Sequence, residues 1–380
     1  MLAAPGLLAA CGGSGPGAAT VSSAVRTAAE GPGPGARVPD ARGVLDFFGY
    51  EGDDALEFTK AWRSAHEIDL KATYISSDAE IEARFLGGGG QGSDLLSMVA
   101  SASPYLIEQS LLAPIDPDKV PRLAHLWPFF AEEDAGQLLN RDGQWVGIPL
   151  YWGTIGLAWD RSVVKDVTAW EDVLDPAFRG QVAMLDNPQL SLYAACAVLG
   201  LEPSRLTAAD LDRVRDWLRP VFGQVKTLSA SVGDLISLLG SREVAAVFPG
   251  FAFIANAAVA HGNTDATYDI RLEEGYPVLT EALALSPKAD NPDAALAYIN
   301  ELLTPPVQRD VAVMQGAAVT VDDAARLLPP EIGRLYPYDD LAAFYAQARR
   351  FTDPPRRSSE YATARDVTDM WAELKRGAQG

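Results

Sequence analysis

The chain has 380 residues, 48% of them hydrophobic, with a formal net charge of −20 and a pI near 4.5. That length exceeds what one compact core ordinarily holds, so two lobes are expected. The acidity excludes nucleic acid and anionic lipid surfaces as partners, since both require clustered Lys and Arg, and no uncharged apolar run reaches the roughly 18 to 20 residues that span a bilayer.

At the start of the chain Leu8, Ala9 and Ala10 stand directly before Cys11, with Gly12 and Gly13 after it. This is the pattern of a bacterial lipobox: small residues let a signal peptidase approach the backbone, and the cysteine thiol takes a diacylglycerol. It predicts lipidation at Cys11 and a lipid-anchored protein outside the cytoplasm, in the periplasm or on the outer face of the cytoplasmic membrane. The ten residues before Cys11 carry no Lys or Arg, so they read as a truncated signal peptide. Residues 12 to 42, rich in Gly, Ala, Pro and Ser, bury little and read as a flexible tether.

From Val44 short apolar strands alternate with amphipathic helices. Val44 to Phe48 reads as a strand, and Asp53 and Asp54 open a helix with Asp54 at its N-cap and Leu56, Phe58, Ala61 and Trp62 on one face. Strand Leu70 to Tyr74, helix Asp78 to Leu86, strand Asp94 to Val99 and helix Pro104 to Ser110 follow, which predicts a mostly parallel sheet. The glycines from Gly87 to Gly90 read as a turn, because no Lys-Ser or Lys-Thr follows to make a phosphate cradle.

A second set of units begins at Ile155 and includes strands Val182 to Leu185 and Val244 to Phe248, with a helix around Tyr193 to Leu199 between them. Cys196 in that helix has apolar neighbours and, with Cys11 acylated, no disulfide partner, so it reads as a buried thiol. A further strand, Ala282 to Ser286, precedes a helix from Pro292 that ends before Pro305 and Pro306 and returns the chain to the first lobe.

The order of these segments resembles the extracellular solute-binding proteins that include the spermidine/putrescine-binding proteins. The resemblance rests on Asp94-Leu-Leu, Leu111-Leu-Ala-Pro-Ile-Asp116, Trp145-Val-Gly-Ile-Pro149-Leu-Tyr-Trp-Gly-Thr154, Thr168-Ala-Trp-Glu-Asp-Val-Leu174, Glu281-Ala-Leu-Ala-Leu285-Ser-Pro287 and the terminal Asp369-Met-Trp-Ala-Glu-Leu-Lys-Arg-Gly377. It covers nearly all of residues 43 to 380. It implies an α/β, two-lobe periplasmic-binding-protein fold with two hinge crossings and a ligand cleft between the lobes. The crossings fall near 152 to 157 and 279 to 283. The first lobe then comprises 43–152 plus 281–325, the second 153–280 plus 326–380, and 1–42 precede both.

By the same resemblance the protein is the substrate-binding component of an ABC importer, working as a monomer with a membrane permease and without a cofactor or metal. A linear polyammonium ligand needs aromatic faces for its methylenes and carboxylates for its ammonium groups. Tyr50 and Glu51 follow the first strand, and Ser101 follows the third. Trp152 sits at the first crossing, where an aromatic either stacks on ligand or packs the hinge. Asp186 stands in the family's acidic turn, which here reads Asp186-Asn-Pro-Gln189 and keeps one carboxylate at best. Phe248 and Phe251 stand where the family places a stacking tryptophan, and Tyr276 lies before the return crossing. The family's Trp-x-Asp becomes Leu279-Thr280-Glu281, which keeps an acid for an ammonium group and loses the ring.

An enzyme is disfavoured: there is no Gly-x-Ser-x-Gly elbow, no His-Glu-x-x-His and no paired-cysteine motif, and His66, His125 and His261 lie in unrelated polar contexts. Receptors of the same fold for sugars, ferric ion or other small solutes remain the alternative, with iron ranked lower because no adjacent Tyr-Tyr pair occurs.

Overall fold

The computed structural model describes residues 25–75, 78–87, 93–132, 137–269 and 272–378; Cys11 lies outside them. The βα alternation produces three parallel strands, β1 (Gly43–Gly49), β2 (Ile68–Tyr74) and β3 (Leu95–Val99), in the order β2-β1-β3. Their inward residues are fully apolar, with Leu45, Phe47, Leu95 and Leu96 buried, as a sheet covered on both faces requires. The helix expected from Asp53 begins only at Lys60 and ends at Ala65, because residues 50–55 turn sharply, with Gly52 and Ala55 both at positive φ.

The chain then builds β4 (Ile148–Asp160), whose 13 residues serve two sheets. Its first half pairs antiparallel with β9 (Val278–Leu285) and with β10 (Ala318–Val319). Its second half pairs with β7 (Ala246–Phe251) and β8 (Ala266–Asp269). β5 (Val182–Leu185) and β6 (Val225–Ser229) extend this second sheet in the order β4-β7-β5-β6, and β9 links β4 back to β3. β4 is therefore the strand shared by both sheets, and β9, which follows β8 of the second sheet, brings the chain back into the first.

Two lobes follow from where the apolar side chains gather. One core unites Phe47, Leu95, Trp152, Leu283, Tyr298 and Tyr345. Beyond Ile155 the cores are different: Trp170, Phe178, Tyr193 and Phe248 form one, and Leu235, Leu239, Val247 and Ile254 another. Cys196 is buried among the former. Tyr336, Leu341, Phe344 and Tyr345 join the first core, although the sequence reading gave 326–380 to the second lobe. The reason is aromatic: Tyr336, Phe344 and Tyr345 surround the Trp152 ring at centroid distances of 5.0, 6.0 and 5.7 Å. Phe351 then enters the second core, so the chain crosses a third time, with Arg349 donating its N–H to Tyr276 and accepting from Val278.

Local signals fix the helices near the cleft. Asn187 caps Pro188–Leu199, whose end is turned by Gly200 in the left-handed region. Asn291 caps Pro292–Leu302, and Pro305–Gln315 ends at Gly316 with φ +59°. Among the described residues no helix is long and apolar enough to cross a membrane.

Candidate ligand-binding site

Where β4 and β9 pair beside the second lobe, a cavity of about 190 Å³ opens against the end of β7. The first lobe contributes Tyr151, Leu279 and Glu281 from the two strands, and Gln315 to Ala317 from the turn that ends helix Pro305–Gln315. The second lobe contributes Phe251, Ala252 and Phe253, with the two phenyl rings stacked at 5.4 Å. Tyr151 and Glu281 are register partners across β4 and β9, so the antiparallel pairing places both side chains on one face.

Behind Tyr151 lies a group that sequence reading assigned to a helix start. Asp53 is fully buried, and its Oδ1 accepts a hydrogen bond from the Tyr151 hydroxyl at 2.9 Å. The turn after β1 holds it there: Tyr298, from helix Pro292–Leu302, donates its hydroxyl to the Asp54 carbonyl at 2.6 Å, and Tyr74 donates to the Asp54 carboxylate at 2.8 Å. Gly49 permits the close approach of β3, since a Cβ at that position would lie 2.2 Å from Ser97 Oγ, which accepts the Tyr50 N–H at 2.8 Å. Burial pushes the Asp53 carboxyl up to about 7, against the hydrogen bonds of Ser97 and Tyr151 and with the Asp54 charge in support. Burial, then the charges of Asp53 and Glu281, hold the Tyr151 phenol protonated well above its ordinary range, which keeps its hydroxyl a donor.

The structure distributes the sequence-predicted residues unevenly. Phe251 and Glu281 line the cavity, and Tyr50 stands close enough to act electrostatically on Tyr151. Glu51 is exposed on the turn. Trp152 points to the opposite face of β4 from Tyr151, is fully buried, and donates its indole N–H to the Val319 carbonyl at 3.1 Å. It packs the first core, the other of the two roles the sequence allowed. Phe248 is likewise buried, edge-on to Trp170, and Tyr276 is stacked on Phe344 and bonded to its carbonyl.

Asp186 is engaged by the terminal helix Ala364–Ala378: Trp371 donates its indole N–H at 2.7 Å and Lys375 its ammonium. Burial opposes ionisation of Asp186, but these two donors outweigh it and hold the carboxyl below its ordinary range. Ser101 faces a second, larger recess of about 590 Å³ with Tyr105, Ser204 and residues 352–357. There Arg356 is paired with Glu82 at 2.8 Å, and the Asp353 carboxylate accepts from Gln189 at 2.6 Å and from Tyr193. The cluster His125, Asp322 and Asp323 could offer metal ligands, but Asp323 already holds Arg122 through both oxygens at 2.7 and 2.8 Å.

Sequence reasoning missed Asp53 and Phe253, and of the aromatic pair Tyr151-Trp152 at the crossing it chose Trp152. The signal for Tyr151 was present in the two-residue period of a strand, which puts neighbours 151 and 152 on opposite faces; Asp53 gave none, because its partner is 98 positions away in sequence.

Residues 56–333 match the family described as bacterial extracellular solute-binding protein. The putrescine-binding periplasmic protein SpuD of Pseudomonas aeruginosa is 26% identical over 361 residues, covering 88% of this chain and 91% of SpuD. The spermidine/putrescine-binding periplasmic protein of Escherichia coli is 25% identical over 235 residues, covering 60% of this chain and 65% of that protein. In structure, the substrate-binding protein PotD of Streptococcus pneumoniae superposes with a TM-score of 0.69 at 17% identity, over 88% of this chain and 98% of PotD. With its two lobes, the strand their sheets share and the cavity between them, the chain belongs to the bacterial extracellular solute-binding proteins.

Proposed function

We propose that this protein captures an organic cation of the polyamine type between its lobes and delivers it to an ABC permease. The observation that carries this is the cavity at the β4–β9 crossing, where Glu281 supplies a carboxylate, Tyr151, held from behind by the buried Asp53, supplies a hydroxyl oxygen, and Phe251 and Phe253 supply an aromatic wall. An alkylammonium group needs a carboxylate or a ring face to replace its water, and its methylenes need apolar surface. The names of the relatives, putrescine-binding and spermidine/putrescine-binding, support the same ligand class.

In this reading Glu281 binds the ammonium, Tyr151 and Asp53 hold the acidic end of the site in place, and Phe251 and Phe253 close over the chain of the ligand. Tyr50 belongs to the same end. The site of action is outside the cytoplasm, with Cys11 as the lipid attachment point. Thermal-shift titration of the protein with putrescine, spermidine, a sugar and ferric citrate tests the reading. A bound ligand at about 100 times its Kd stabilises the fold by roughly 2.7 kcal/mol. An upward shift with the amines supports the proposal, and a shift with the sugar or ferric citrate alone refutes it.

A further inference from the structure

Resting on the reading that the cavity takes an amine cation, we infer that it grips a single ammonium head, at Glu281 and Tyr151, and places no charge requirement on the other end of the ligand. The acids of this region gather at one end. Glu281 is the one carboxylate among the described residues that line the cavity, and its register partner Tyr151 is the residue that Asp53 holds from behind. Asp53 therefore supports, through Tyr151, the end that Glu281 already occupies.

Among the described residues that line the cavity there is no second carboxylate, and the nearby acids of the second lobe are engaged elsewhere. The acid in the loop after β5, Asp186, is neutralised within the protein by Lys375 and Trp371. Three residues on, Gln189 carries an amide rather than a carboxylate, and that amide donates to Asp353. Asp353 in turn is held by Tyr193 and Gln189 and faces the larger recess. The second lobe offers this cavity Phe251, Ala252 and Phe253, whose ring faces lie against methylenes or an alkylammonium alike and carry no charge that would require a second cation. A neutral amide or methyl terminus is therefore accommodated against these rings as an ammonium is, and the far end reads no charge. The ligand class is a primary alkylamine with one cationic head and a short neutral or solvent-directed tail.

Calorimetric titration of the unmodified protein with putrescine and with N-acetylputrescine, which keeps one ammonium and masks the other, tests this directly. The expected result is that N-acetylputrescine binds within about tenfold of putrescine, or more tightly. Binding of putrescine with a loss of about a hundredfold or more on acetylation overturns the inference, because a second carboxylate must then read the far end. Failure of both amines to bind overturns the amine-cation reading itself and this inference with it. In Glu281→Gln both ligands are expected to lose affinity by the same factor; a loss confined to putrescine contradicts a shared single head.

Discussion

The two walls of the cavity are built on opposite principles. The first-lobe wall is polar and fixed: Tyr151, Asp53, Ser97 and the turn after β1 are joined by hydrogen bonds that two distant elements, β3 and helix Pro292–Leu302, hold in place. The second-lobe wall is apolar and rests on stacked rings at the start of helix Ala252–Ala260. A charged site is preorganised where its hydrogen bonds are rigid, and an aromatic lid closes over it by excluding water, which strengthens the electrostatics beneath. Recognition is thus assigned to one lobe and desolvation to the other.

The sharpest contrast within this picture is between neighbours on β4. Trp152→Ala empties a fully buried site among Tyr336, Phe344 and Tyr345, and should cost about 3–5 kcal/mol of stability, read as a lowered denaturation midpoint. If it weakens ligand binding while leaving the midpoint unchanged, Trp152 belongs to the site and the division of faces is wrong.

Next in size is the contact between the walls. Gly316 of the first lobe has φ +59°, and a Cβ there would lie 2.2 Å from Phe253 Cβ of the second. Gly316→Ala should hold the lobes apart and weaken amine binding by about 1–3 kcal/mol, with small-angle scattering of the bound form showing a larger radius. Unchanged affinity and scattering would show that the walls do not need this approach.

A third test is a pH slope. Asp53 carries its proton in the folded chain up to about 7, whereas its ordinary value is 3.8. Its contribution to stability is therefore complete below 3.8, falls as pH rises, and is lost by about 7. Asp53→Asn should remove that decline, so that urea unfolding at pH 5 and pH 8 differs less in the variant than in the parent. A cation at Glu281 and Tyr151 favours ionised Asp53, so amine affinity should also rise with pH through 7 and binding should release a proton. An unchanged slope in the variant would place the titrating group elsewhere.

The sequence disclosed the architecture far better than the site. Alternating strands and helices, and the helix from Pro292 that ends before Pro305, are local signals, readable from a few residues at a time. Phe251 and Glu281 were reachable because they stand at a strand end and on a crossing strand. Asp186 misled because its partners Trp371 and Lys375 arrive from 185 and 189 residues away. Trp152 misled by one position, which in a strand is the difference between core and cavity. Phe248 and Phe251 differ in parity on β7 in the same way, the first buried against Trp170 and the second at the opening.

If the first-lobe wall reads the charge of the ligand, it does so through Glu281. Isothermal titration of putrescine into the parent protein and into Glu281→Gln measures it most directly. The variant should lose about 1.5–3 kcal/mol in binding free energy, the scale of a hydrogen bond to a charged group, with the denaturation midpoint of the free protein little changed. Equal affinity of the two proteins for putrescine would contradict it.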